Sequence, residues 1–438
     1  MTYEEAIQFL FKQTANYEQQ GQSGYKPGLD TIKALDKAYG KPSEAFKSIH
    51  IAGTNGKGSC SHMLAAILQR SGYRTGLFTS PHLVNFTERI RVNGEPIEEA
   101  YVTDFVEKGQ KGFEELGATF FEITTAMAFK YFADRNIDIA VIETGLGGRL
   151  DSTNIITPLV SLITNVSLDH TELLGNSEEQ IAVEKGGIIK DDVPVIIGET
   201  TPATRPVFEA LAQEKHARLT FAEEHAEIIQ STHLPQGGYH YVTQHLGEFD
   251  CELDGDCQTK NMSSILPVLK ELCDMGYLSS CETEHYRKIV EGEMNYALTN
   301  VCNMTGLQGR WQKLQEKPTV ICDTGHNIGA WQYLGPQIAA QPCRHRRVVF
   351  GILEDKDVFG VMSMLPQDAT YYFCRPNSDR ALPEQSVMMI GQQVGLNGNA
   401  YSSPIEAYQA ALKDAAEDDF IFVGGSNYIV AEILKNAV

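Results

Sequence analysis

The stretch Gly53–Ser59 reads GTNGKGS, and it lies between a short apolar run, Ser48–Ala52, and a helix-like run that ends at Arg70. A glycine-rich turn between a strand and a helix leaves backbone N–H groups free to surround phosphate oxygens, and the helix N-terminus adds partial positive charge. A lysine in such a turn, here Lys57, reaches the β- and γ-phosphates of a nucleotide. The stretch therefore predicts a nucleotide-binding strand–turn–helix unit. A turn that serves only packing is the alternative.

This stretch matches the general P-loop pattern only in part. If Gly56 and Lys57 take their usual places, Ile51 stands where the first glycine belongs. Gly58 stands where Ser or Thr belongs, so the hydroxyl that holds Mg²⁺ is expected to come from Ser59. The rest of the sequence therefore decides between nucleotide binding and packing.

Length, composition and charge limit the classes of protein that fit this chain. Its 438 residues exceed what one hydrophobic core normally serves, so two or more domains are expected. The formal net charge of −21 disfavours nucleic acid and anionic membranes as partners. The N-terminus is acidic where a signal peptide is basic, and the nine cysteines show no paired spacing. No apolar run approaches the length of a membrane span, so we expect a cytoplasmic protein, with a monomer as the default.

Short β-rich apolar runs alternate with helical patterns, which predicts an α/β fold with parallel sheets. In an open α/β sheet the chemistry gathers at the carboxyl ends of the strands. Gly53, Ser80, Glu143 and Asn165 follow such ends and are expected to form one cluster. The predicted strands of the first half are Ser48–Ala52, Thr75–Phe78, Asp138–Glu143, Leu159–Thr164 and Pro194–Ile197, with helical patterns such as Thr124–Asp134 and Glu178–Ile189 between them.

The second half of the sequence differs from the first in composition and in residue pattern. Residues 222–256 are rich in Gly, Pro and His and alternate like a small antiparallel insertion, and two helices are predicted near Gln258–Met275 and Glu282–Tyr296. A polar linker near 297–317 precedes a second α/β series, so we expect a domain of residues 1–297 and a smaller domain of residues 298–438. The predicted strands of the smaller domain are Thr319–Asp323, Arg347–Phe350, Thr370–Cys374 and Phe420–Val423.

The segment Asp138–Asn154 reads DIAVIETGLGGRLDSTN. Its apolar strand delivers Glu143 to the strand end, and the glycines that follow let the chain turn closely around a ligand. Mg²⁺ prefers oxygen and keeps few protein ligands, so a carboxylate beside a phosphate-binding turn is a suitable direct or indirect ligand. A solvated glutamate before a loop is the alternative.

A histidine and a lysine are expected at the same edge of the sheet. Asp169 and His170 follow a predicted strand, and Lys185 lies in a helix that returns toward that edge. A lone histidine is more often structural, but beside Asp169 we predict a metal or phosphate role for His170. A lysine at a Mg²⁺–ATP site neutralises phosphate charge. Composition alone favours the alternative, a surface lysine paired with Glu184 or Glu178.

The second domain carries its own polar cluster. Asp323–Asn327 reads DTGHN and directly follows an apolar strand, where such side chains bind ribose hydroxyls, phosphate or developing charge. Arg310, at the domain junction, is placed to reach a triphosphate as a bidentate cation. A helix cap and a linker charge are the alternatives.

Together these motifs resemble the folylpolyglutamate synthase/dihydrofolate synthase family, within the ATP-dependent Mur ligases. The likeness runs in order over nearly the whole chain, and the GTNGKGS and GLGGRLDSTN segments are its most specific parts. Its other motifs are Thr79–Leu83 with Glu88–Ile90, Phe121-Glu122 with Thr125, Asp169-His170, Glu184-Lys185, Gln258 with Asn261, Gly309-Arg310, Asp323–Asn327, Asp355–Asp357 and Gly425-Ser426.

The resemblance implies a fold and a reaction. The fold is an N-terminal P-loop ATPase domain of the Mur ligase type, followed by a smaller Rossmann-like domain, the glutamate-ligase domain. Mg²⁺–ATP, shared by the two domains, phosphorylates a substrate carboxylate. The amino group of L-glutamate then attacks the acyl phosphate and gives an amide, ADP and phosphate. The acceptor is dihydropteroate, a reduced folate such as tetrahydrofolate, or both, and K⁺ is a further candidate cation.

The resemblance also implies roles for individual residues. Lys185 matches a lysine that is carbamylated in the family, and Phe121 and Asp151 match pterin positions, where a ring stacks and a carboxylate accepts N–H donors. The implied catalytic residues are Lys57, His170, Lys185, Arg310 and His326. The implied metal ligands are Ser80, Glu143, His170 and Lys185. The implied nucleotide contacts are Thr54, Asn55, Gly56, Lys57, Gly58, Ser59, Asn261, Arg310, Asp323 and Ser426.

Two other functions stay open as alternatives. One is another Mur-type amino-acid ligase, which Gly58 disfavours because Mur ligases proper usually carry Thr there. The other is a nucleotide-binding protein without catalysis, which the intact set of Lys57, Glu143, His170 and Lys185 disfavours. Asp151 favours dihydropteroate as one acceptor, and hence dual activity. The second-domain motif departs from the family pattern, since Thr324, Gly325 and Ile328 replace Gly, Ala and Pro.

Overall fold

A computed structural model describes residues 1–16, 26–225, 227–278 and 292–436 of the chain. The chain divides into two compact units. The first comprises Met1–Leu253 and Gln258–Leu307, and the second comprises Asp254–Cys257 and Gln308–Val438.

The first unit extends further along the chain than the boundary expected near residue 298. Residues Val301–Thr305 form a helix, and the Thr305 hydroxyl lies 2.7 Å from His62 Nδ1 on the helix that follows the glycine-rich turn. Val301 is fully buried in the core beneath that helix. Residues 298–307, expected in the polar linker, therefore belong to the first unit.

The main sheet of the first unit has eight strands. They are β1 (Lys47–Ala52), β2 (Thr75–Phe78), β3 (Ile90–Val92), β4 (Glu95–Pro96), β5 (Ile139–Glu143), β6 (Val160–Ile163), β7 (Val195–Ile197) and β8 (Leu219–Phe221). Their order is β4-β3-β2-β5-β1-β6-β7-β8. Strands β2, β5, β1, β6, β7 and β8 run parallel, and β3 and β4 add an antiparallel edge.

Helices cover both faces of this sheet. They are α1 (Tyr3–Gln8), α2 (Asp30–Ala38), α3 (Lys57–Arg70), α4 (Glu99–Leu116), α5 (Phe120–Asp134), α6 (Thr171–Leu174), α7 (Glu178–Gly186), α8 (Arg205–Glu214), α9 (Gln258–Asp274) and α10 (Val301–Thr305). Residues 292–298 are also helical, whereas most of the helix predicted near Glu282–Tyr296 lies outside the described residues. Among the described residues, no helix combines the length and apolar character that a bilayer crossing needs.

Burial on both faces explains why the central strands read as continuous apolar runs. In β5, Val141 packs into the core beneath α3, while Ile142 on the opposite face packs into the core that α5 covers. Helix α3 is buried along its middle, from Ser59 to Leu68, because the sheet lies on one side and α9 and α10 on the other.

A separate three-stranded antiparallel sheet lies where the sequence predicts an antiparallel insertion. Its strands are β9 (Ile228–His233), β10 (Tyr239–Thr243) and β11 (Glu248–Cys251), in the order β11-β10-β9. Burial alternates along β10, where Tyr239, Tyr241 and Thr243 are buried. This alternation is the source of the period-two pattern in the sequence.

The second unit is a six-stranded sheet covered by helices. Its strands are β12 (Gln312–Gln315), β13 (Thr319–Asp323), β14 (Arg346–Phe350), β15 (Ala369–Cys374), β16 (Asn397–Tyr401) and β17 (Phe420–Gly424), in the order β12-β13-β17-β14-β15-β16. All are parallel except β12. Its helices are α11 (Ile328–Ala339), α12 (Val358–Met362), α13 (Glu384–Gln393), α14 (Pro404–Asp414) and α15 (Asn427–Asn436).

Five strands have no counterpart among the sequence predictions: β3, β4, β8, β12 and β16. Four of them are the outermost strands of the two main sheets. An edge strand pairs on one side only, so it needs neither an apolar run nor strict alternation. Strand β12 (QKLQ) lies in the stretch expected to be a linker, and β16 (NGNAY) carries almost no apolar residues.

Candidate active site

Four neighbouring parallel strands end along one edge of the main sheet. Strands β2, β5, β1 and β6 lie side by side, and Ser80, Glu143, Gly53 and Asn165 stand at or just beyond their carboxyl ends. The Ser80 N–H donates to Glu143 Oε2 at 3.2 Å. The Asn55 N–H, two residues beyond Gly53, donates to Asn165 Oδ1 at 3.0 Å. The cluster predicted from four separate segments is confirmed.

The turn after β1 is tightly enclosed. Gly53 and Gly56 have φ angles of 148° and 84°, a backbone region that favours glycine. A Cβ atom would lie 1.8 Å from Thr164 Oγ1 at the first position and 2.1 Å from Asn261 Oδ1 at the second. The turn therefore requires glycine at both positions, and Asn261 on α9 lies directly against it.

Hydrogen bonds from the segment after β6 hold this turn in place. Thr54 Oγ1 donates to the Ser167 carbonyl at 3.2 Å and accepts from the Ser167 N–H at 3.1 Å. The Asn55 carbonyl accepts from Thr164 Oγ1 at 2.6 Å and from Asn165 Nδ2 at 3.2 Å. These four hydrogen bonds fix the turn to the segment after β6.

The start of α3 is fixed by α9. Gly58 lies in the first turn of α3, and the buried Ser59 hydroxyl lies 3.4 Å from Gln258 Nε2. Gln258 Oε1 in turn accepts from Asn261 Nδ2 at 2.8 Å. The hydroxyl that we expect at the metal therefore contacts the start of α9 in this structure.

Two lysines meet at the turn. Lys57 Nζ donates to the carbonyl oxygens of Gly53 at 2.9 Å and Thr54 at 3.2 Å. Lys185 Nζ, from α7, donates to the same Gly53 carbonyl at 2.9 Å. Burial, followed by the Lys57 charge, lowers the pKa of Lys185 to about 7. At neutral pH a large fraction of Lys185 is therefore a neutral amine.

The surface-lysine alternative is wrong for Lys185. The residue is only 4% exposed. Its neighbour Glu184 pairs instead with Arg149, whose Nη2 lies 2.7 Å from Glu184 Oε1. Lys185 is thus an interior group at the strand ends.

The solvated-glutamate alternative is wrong for Glu143. It is the last residue of β5, is 4% exposed, and accepts the Ser80 N–H through Oε2. A buried carboxylate at this edge is expensive unless a cation or several donors compensate for its charge. Its placement suits an oxygen ligand of a cation.

Asp169 and His170 follow β6 in an unusual backbone conformation. His170 has a φ angle of 50°, and its N–H donates to Asp169 Oδ1 at 2.9 Å. Its Nε2 lies 3.8 Å from Asp169 Oδ2. The Asp169 charge also acts on Lys185, where it opposes the lowering of the pKa. Asp169 and Lys185 therefore belong to one electrostatic group.

Phe121 and Asp151 both contact the turn Gly145–Leu146. Phe121 on α5 lies so close to Gly145 that an added Cβ atom would be 2.4 Å from the ring. Asp151 Oδ2 accepts the Leu146 N–H at 2.8 Å. Asp151 Oδ1 accepts from Thr153, through its N–H at 3.0 Å and its hydroxyl at 2.5 Å.

Asp151 is therefore a support of its own loop in this structure. The residue is 5% exposed, and burial raises the pKa of its carboxyl group against the effect of these donors. The direct acceptance of pterin N–H groups, which the resemblance implies, stays a prediction. The carboxylate already has a role in shaping the Gly145–Asn154 loop.

The polar cluster of the second unit is organised by Asp323. Its Oδ2 accepts the Trp311 N–H at 2.8 Å, and its Oδ1 accepts the Gly325 N–H at 2.8 Å. Burial raises the pKa of Asp323, and the Arg310 charge opposes this shift. Arg310 donates to the Thr324 hydroxyl and to the Gly309 carbonyl, so it is fixed within the unit rather than being a loose linker charge.

The remaining residues of this cluster have separate local contacts. Asn327 is a helix cap, as the alternative had it, because its Oδ1 accepts the Ala330 N–H at 3.0 Å at the start of α11. His326 Nδ1 lies 3.0 Å from the Thr324 carbonyl. Ser426, buried just after β17, accepts the Tyr428 N–H through Oγ at 3.2 Å.

Sequence patterns did not point to His50, a buried residue of β1 that contacts the Gly145–Asn154 loop. His50 lies inside β1 and places Nε2 2.8 Å from Thr153 Oγ1, and the Thr153 hydroxyl donates to Asp151 Oδ1. The available signal was an imidazole in the middle of the apolar run Ser48–Ala52, three positions before the glycine-rich turn.

Comparison with known proteins agrees with this geometry. The family model for the Mur ligase middle domain matches residues 51–266, and that for the Mur ligase glutamate ligase domain matches residues 309–427. The dihydrofolate synthase/folylpolyglutamate synthase of Escherichia coli is 32% identical over 414 residues, which cover 93% of this chain and 90% of that protein. The chain belongs to the folylpolyglutamate synthase/dihydrofolate synthase family.

Solved structures of this family share the fold. Escherichia coli FolC in complex with DHPP and ADP has a TM-score of 0.81 at 27% identity, over 100% of this chain and 97% of that one. The bifunctional folylpolyglutamate synthase/dihydrofolate synthase from Yersinia pestis, complexed with AMPPNP and Mn ion, has a TM-score of 0.78 at 27% identity, over 100% of this chain and 98% of that one. The predicted Mur ligase α/β fold is confirmed.

Proposed function

We propose that this member of the folylpolyglutamate synthase/dihydrofolate synthase family joins L-glutamate to a pteridine carboxylic acid at the expense of ATP. A carboxylate oxygen of the acceptor attacks the γ-phosphorus, and the bond from that phosphorus to the β-γ bridging oxygen breaks. The glutamate amine then attacks the acyl carbon, phosphate leaves with the carboxylate oxygen, and the amine loses a proton. The products are an amide, ADP, phosphate and one proton.

The convergence of Lys57 and Lys185 on the Gly53 carbonyl is the observation that carries this proposal. Lys57 supplies a cation at the glycine-rich turn, Lys185 supplies a buried amine at the same carbonyl oxygen, and the neighbouring strand ends at the buried carboxylate of Glu143, so groups of both charge types lie where a metal-bound triphosphate needs them. Lys57 has a flexible stem and weak carbonyl partners, so we assign it to the β- and γ-phosphates. Phosphoryl transfer needs mostly positioning and charge neutralisation, which such an arrangement provides.

The donor set at the strand ends fits Mg²⁺. Among the described residues no group of three His, Cys, Asp or Glu side chains is close enough to hold a metal by itself. Mg²⁺ at nucleotide sites takes one or two carboxylates and fills its other positions with phosphate oxygens and water, so a full protein cage is unnecessary. We assign Ser80, Glu143 and His170, together with Lys185 as a carbamate, as the protein groups that would hold the cations of the site. When bound, Mg²⁺ neutralises charge on the transferred phosphoryl group. K⁺ stays a prediction without a contact that favours it.

Lys185 is proposed to act as a carbamate. A neutral amine attacks CO₂, a nitrogen–carbon bond forms and one amine proton is released. The interior position and the lowered pKa of Lys185 supply the neutral amine. The product is a carboxylate-like group that pairs with cations where the unmodified ammonium would repel them.

Two sets of residues are proposed to bind the nucleotide, one in each unit. In the first unit they are Thr54, Asn55, Gly56, Lys57, Gly58, Ser59 and Asn261. In the second unit they are Arg310, Asp323, His326 and Ser426, with Arg310 and His326 at phosphate. The fixed fork of Arg310 and the carboxylate of Asp323 suit phosphate and ribose hydroxyls respectively.

The acceptor is proposed to bind beside Phe121 and the Gly145–Asn154 loop. An aromatic face against a close-packed glycine turn provides a stacking surface for a flat pterin ring. Asp151, which shapes that loop, favours dihydropteroate as one acceptor. We therefore propose that both dihydropteroate and tetrahydrofolate are acceptors. We assign the first unit to ATP and the pterin and the second to glutamate ligation, in a cytoplasmic monomer.

Acceptor-dependent phosphate release tests this function. Purified protein is incubated with Mg²⁺–ATP and L-glutamate together with dihydropteroate, tetrahydrofolate or no acceptor. Release with both acceptors, matched by the glutamylated product in mass spectra, supports the bifunctional enzyme. Release with one acceptor alone identifies a monofunctional one. Release with neither overturns the proposal in favour of another Mur-type ligase or a nucleotide-binding protein without catalysis.

A further inference from the structure

A hydrogen-bond chain runs from the interior of β1 to the Gly145–Leu146 turn. His50 is fully buried in β1, and its Nε2 lies 2.8 Å from Thr153 Oγ1. Thr153 Oγ1 lies 2.5 Å from Asp151 Oδ1, and Asp151 Oδ2 accepts the Leu146 N–H at 2.8 Å. Hydrogen bonds thus join four residues in one chain, one from β1 and three from the Gly145–Asn154 loop.

The direction of each hydrogen bond in this chain is fixed by proton counting. The Asp151 carboxylate accepts from backbone N–H groups on both oxygens, so the single Thr153 hydroxyl proton points to it. Thr153 Oγ1 must then accept from His50, which requires the proton on Nε2. Burial lowers the pKa of His50 to about 3, so the ring is neutral and has only that one proton.

The other ring nitrogen of His50 has a free-energy cost, against which the contact with Thr153 has to be weighed. Its Nδ1 is buried and makes no hydrogen bond within the described part of the chain. A buried polar atom without a partner costs free energy, and an aliphatic side chain at this position would avoid that cost. The contact with Thr153 is the only compensation that the described residues offer.

We propose that His50 and Thr153 are positioning residues that hold the acceptor-binding loop, Gly145–Asn154, in the conformation that binds the acceptor. They orient Asp151, Asp151 fixes the Leu146 N–H, and the turn so formed meets the ring of Phe121. The inference rests on the proposed function in one respect, the placement of the acceptor beside Phe121. His50 also lies three residues before Gly53, so one strand supports the acceptor loop and leads into the nucleotide turn.

The hydrogen-bond chain supports the Gly145–Asn154 loop and does not include the nucleotide turn Gly53–Ser59. The nucleotide turn has its own contacts, from Thr54 to Ser167 and from Asn55 to Asn165. Loss of the hydrogen-bond chain from His50 to Leu146, which we call the relay, leaves these contacts in place. The KM for the acceptor should therefore change while the KM for ATP does not.

Two substitutions at one position test the relay. Thr153→Val keeps the shape and removes the hydroxyl, whereas Thr153→Ser keeps the hydroxyl. We expect Thr153→Val to raise the KM for the acceptor about tenfold, the effect of one lost buried hydrogen bond, with the KM for ATP within about twofold. Thr153→Ser should restore the acceptor KM to within about twofold of the original.

A second buried His–Thr pair in the same unit provides the matched control. His62 Nδ1 lies 2.7 Å from Thr305 Oγ1, far along the chain from the acceptor loop. Thr305→Val removes a hydrogen bond of the same kind, so it should lower the melting temperature without raising the acceptor KM. His50→Leu should reproduce Thr153→Val, and the double variant should be no worse than either single one, because both break the same chain.

Hydrogen–deuterium exchange of peptides that cover 145–155 provides a readout independent of turnover. Thr153→Val and His50→Leu should accelerate exchange there, and Thr153→Ser and Thr305→Val should not. Unchanged exchange in Thr153→Val overturns the relay itself. Faster exchange with an unchanged acceptor KM, or with equal rises in both KM values, overturns its role in acceptor positioning. If the unaltered protein uses no acceptor at all, the proposed function fails while the exchange result still decides the relay.

Discussion

Lys57 and Lys185 donate hydrogen bonds to the same atom, the carbonyl oxygen of Gly53, and each Nζ lies 2.9 Å from it. The oxygen accepts both hydrogen bonds, but the two amines repel each other when both are charged, and this repulsion adds to the effect of burial in lowering the pKa of Lys185. Phosphate groups that draw Lys57 away, or CO₂ that converts Lys185 to an anion, would each relieve the repulsion.

Substitution of Lys57 tests the nucleotide turn. Lys57→Met removes the cation assigned to the β- and γ-phosphates, so kcat/KM should fall by at least about a hundredfold. The fold should persist, since the Gly53 carbonyl still accepts from Lys185. Phosphate release measures the loss, and circular dichroism checks the fold. A folded variant with a near-normal rate would contradict the assignment.

Carbamylation of Lys185 should increase with pH. Only the neutral amine reacts, and a pKa of about 7 makes that form rise steeply between about pH 6 and pH 8. Carbon-13 NMR with labelled bicarbonate should show the carbamate signal growing over this range, and Lys185→Ala should lack it. Short carboxylic acids should partly restore activity to Lys185→Ala. A bare lysine in the intact mass of fully active, ATP-loaded protein would count against the modification.

The same pKa shift predicts a pH-dependent stability. The folded pKa of Lys185 lies below the unfolded value of 10.5, so between about 7 and 10.5 the unfolded chain binds more protons at this group. Its contribution to the free energy of unfolding therefore rises with pH across that window, and the cost of the buried charge is fully present below it. Without CO₂, Lys185→Met should flatten this part of the stability profile, measured by urea unfolding. An unchanged slope would contradict the buried, shifted lysine.

Two glycine substitutions distinguish a local effect on the nucleotide turn, Gly53–Ser59, from the general cost of placing a side chain at a positive φ angle. Gly56→Ala places a Cβ atom 2.1 Å from Asn261 Oδ1 at a φ of 84°, so the KM for ATP should rise at least about tenfold. Gly72→Ala has a similar φ of 91° but open space around the added atom. It should cost about 1 kcal/mol of stability and leave the KM for ATP unchanged. Equal KM values in the two variants would show that the close approach to Asn261 is irrelevant to nucleotide binding.

Removal of the Asp151 carboxylate tests the acceptor assignment. Asp151→Ala releases the Leu146 and Thr153 donors, so the KM for the acceptor should rise about tenfold or more while the KM for ATP stays within about twofold. If the carboxylate also contacts the pterin, use of dihydropteroate should suffer more than extension of tetrahydrofolate. Equal losses with both acceptors would restrict Asp151 to loop support.

The sequence predicted the parts of the site that local pattern encodes. The turn Gly53–Ser59, the strand that ends at Glu143 and the cluster at the sheet edge are all visible as apolar runs followed by glycine or polar residues. Pairings between distant residues are not encoded in this way. Lys185 and Gly53 are 132 positions apart and His50 and Thr153 are 103 apart, so only the folded chain shows that they meet.

The edge strands and the domain boundary were not predicted from the sequence, for a related reason. Strand β16 needs only one partner and carries no strong pattern, and Thr305 joins the first unit through a contact with His62 that the sequence does not reveal. Asp151 shows the same limit for function. Its position in a motif indicates a ligand contact, which stays a prediction, while the hydrogen bonds of its oxygens to Leu146 and Thr153 appear only in the folded chain.

The most direct test of the central claim follows the oxygen atoms of the acceptor. Dihydropteroate labelled with oxygen-18 in its carboxylate is incubated with the protein, Mg²⁺–ATP and L-glutamate, and the released phosphate is analysed by mass spectrometry. Activation as an acyl phosphate predicts one labelled oxygen in each phosphate and one in the amide product. Glutamylated product formed with unlabelled phosphate would contradict phosphorylation of the acceptor carboxylate.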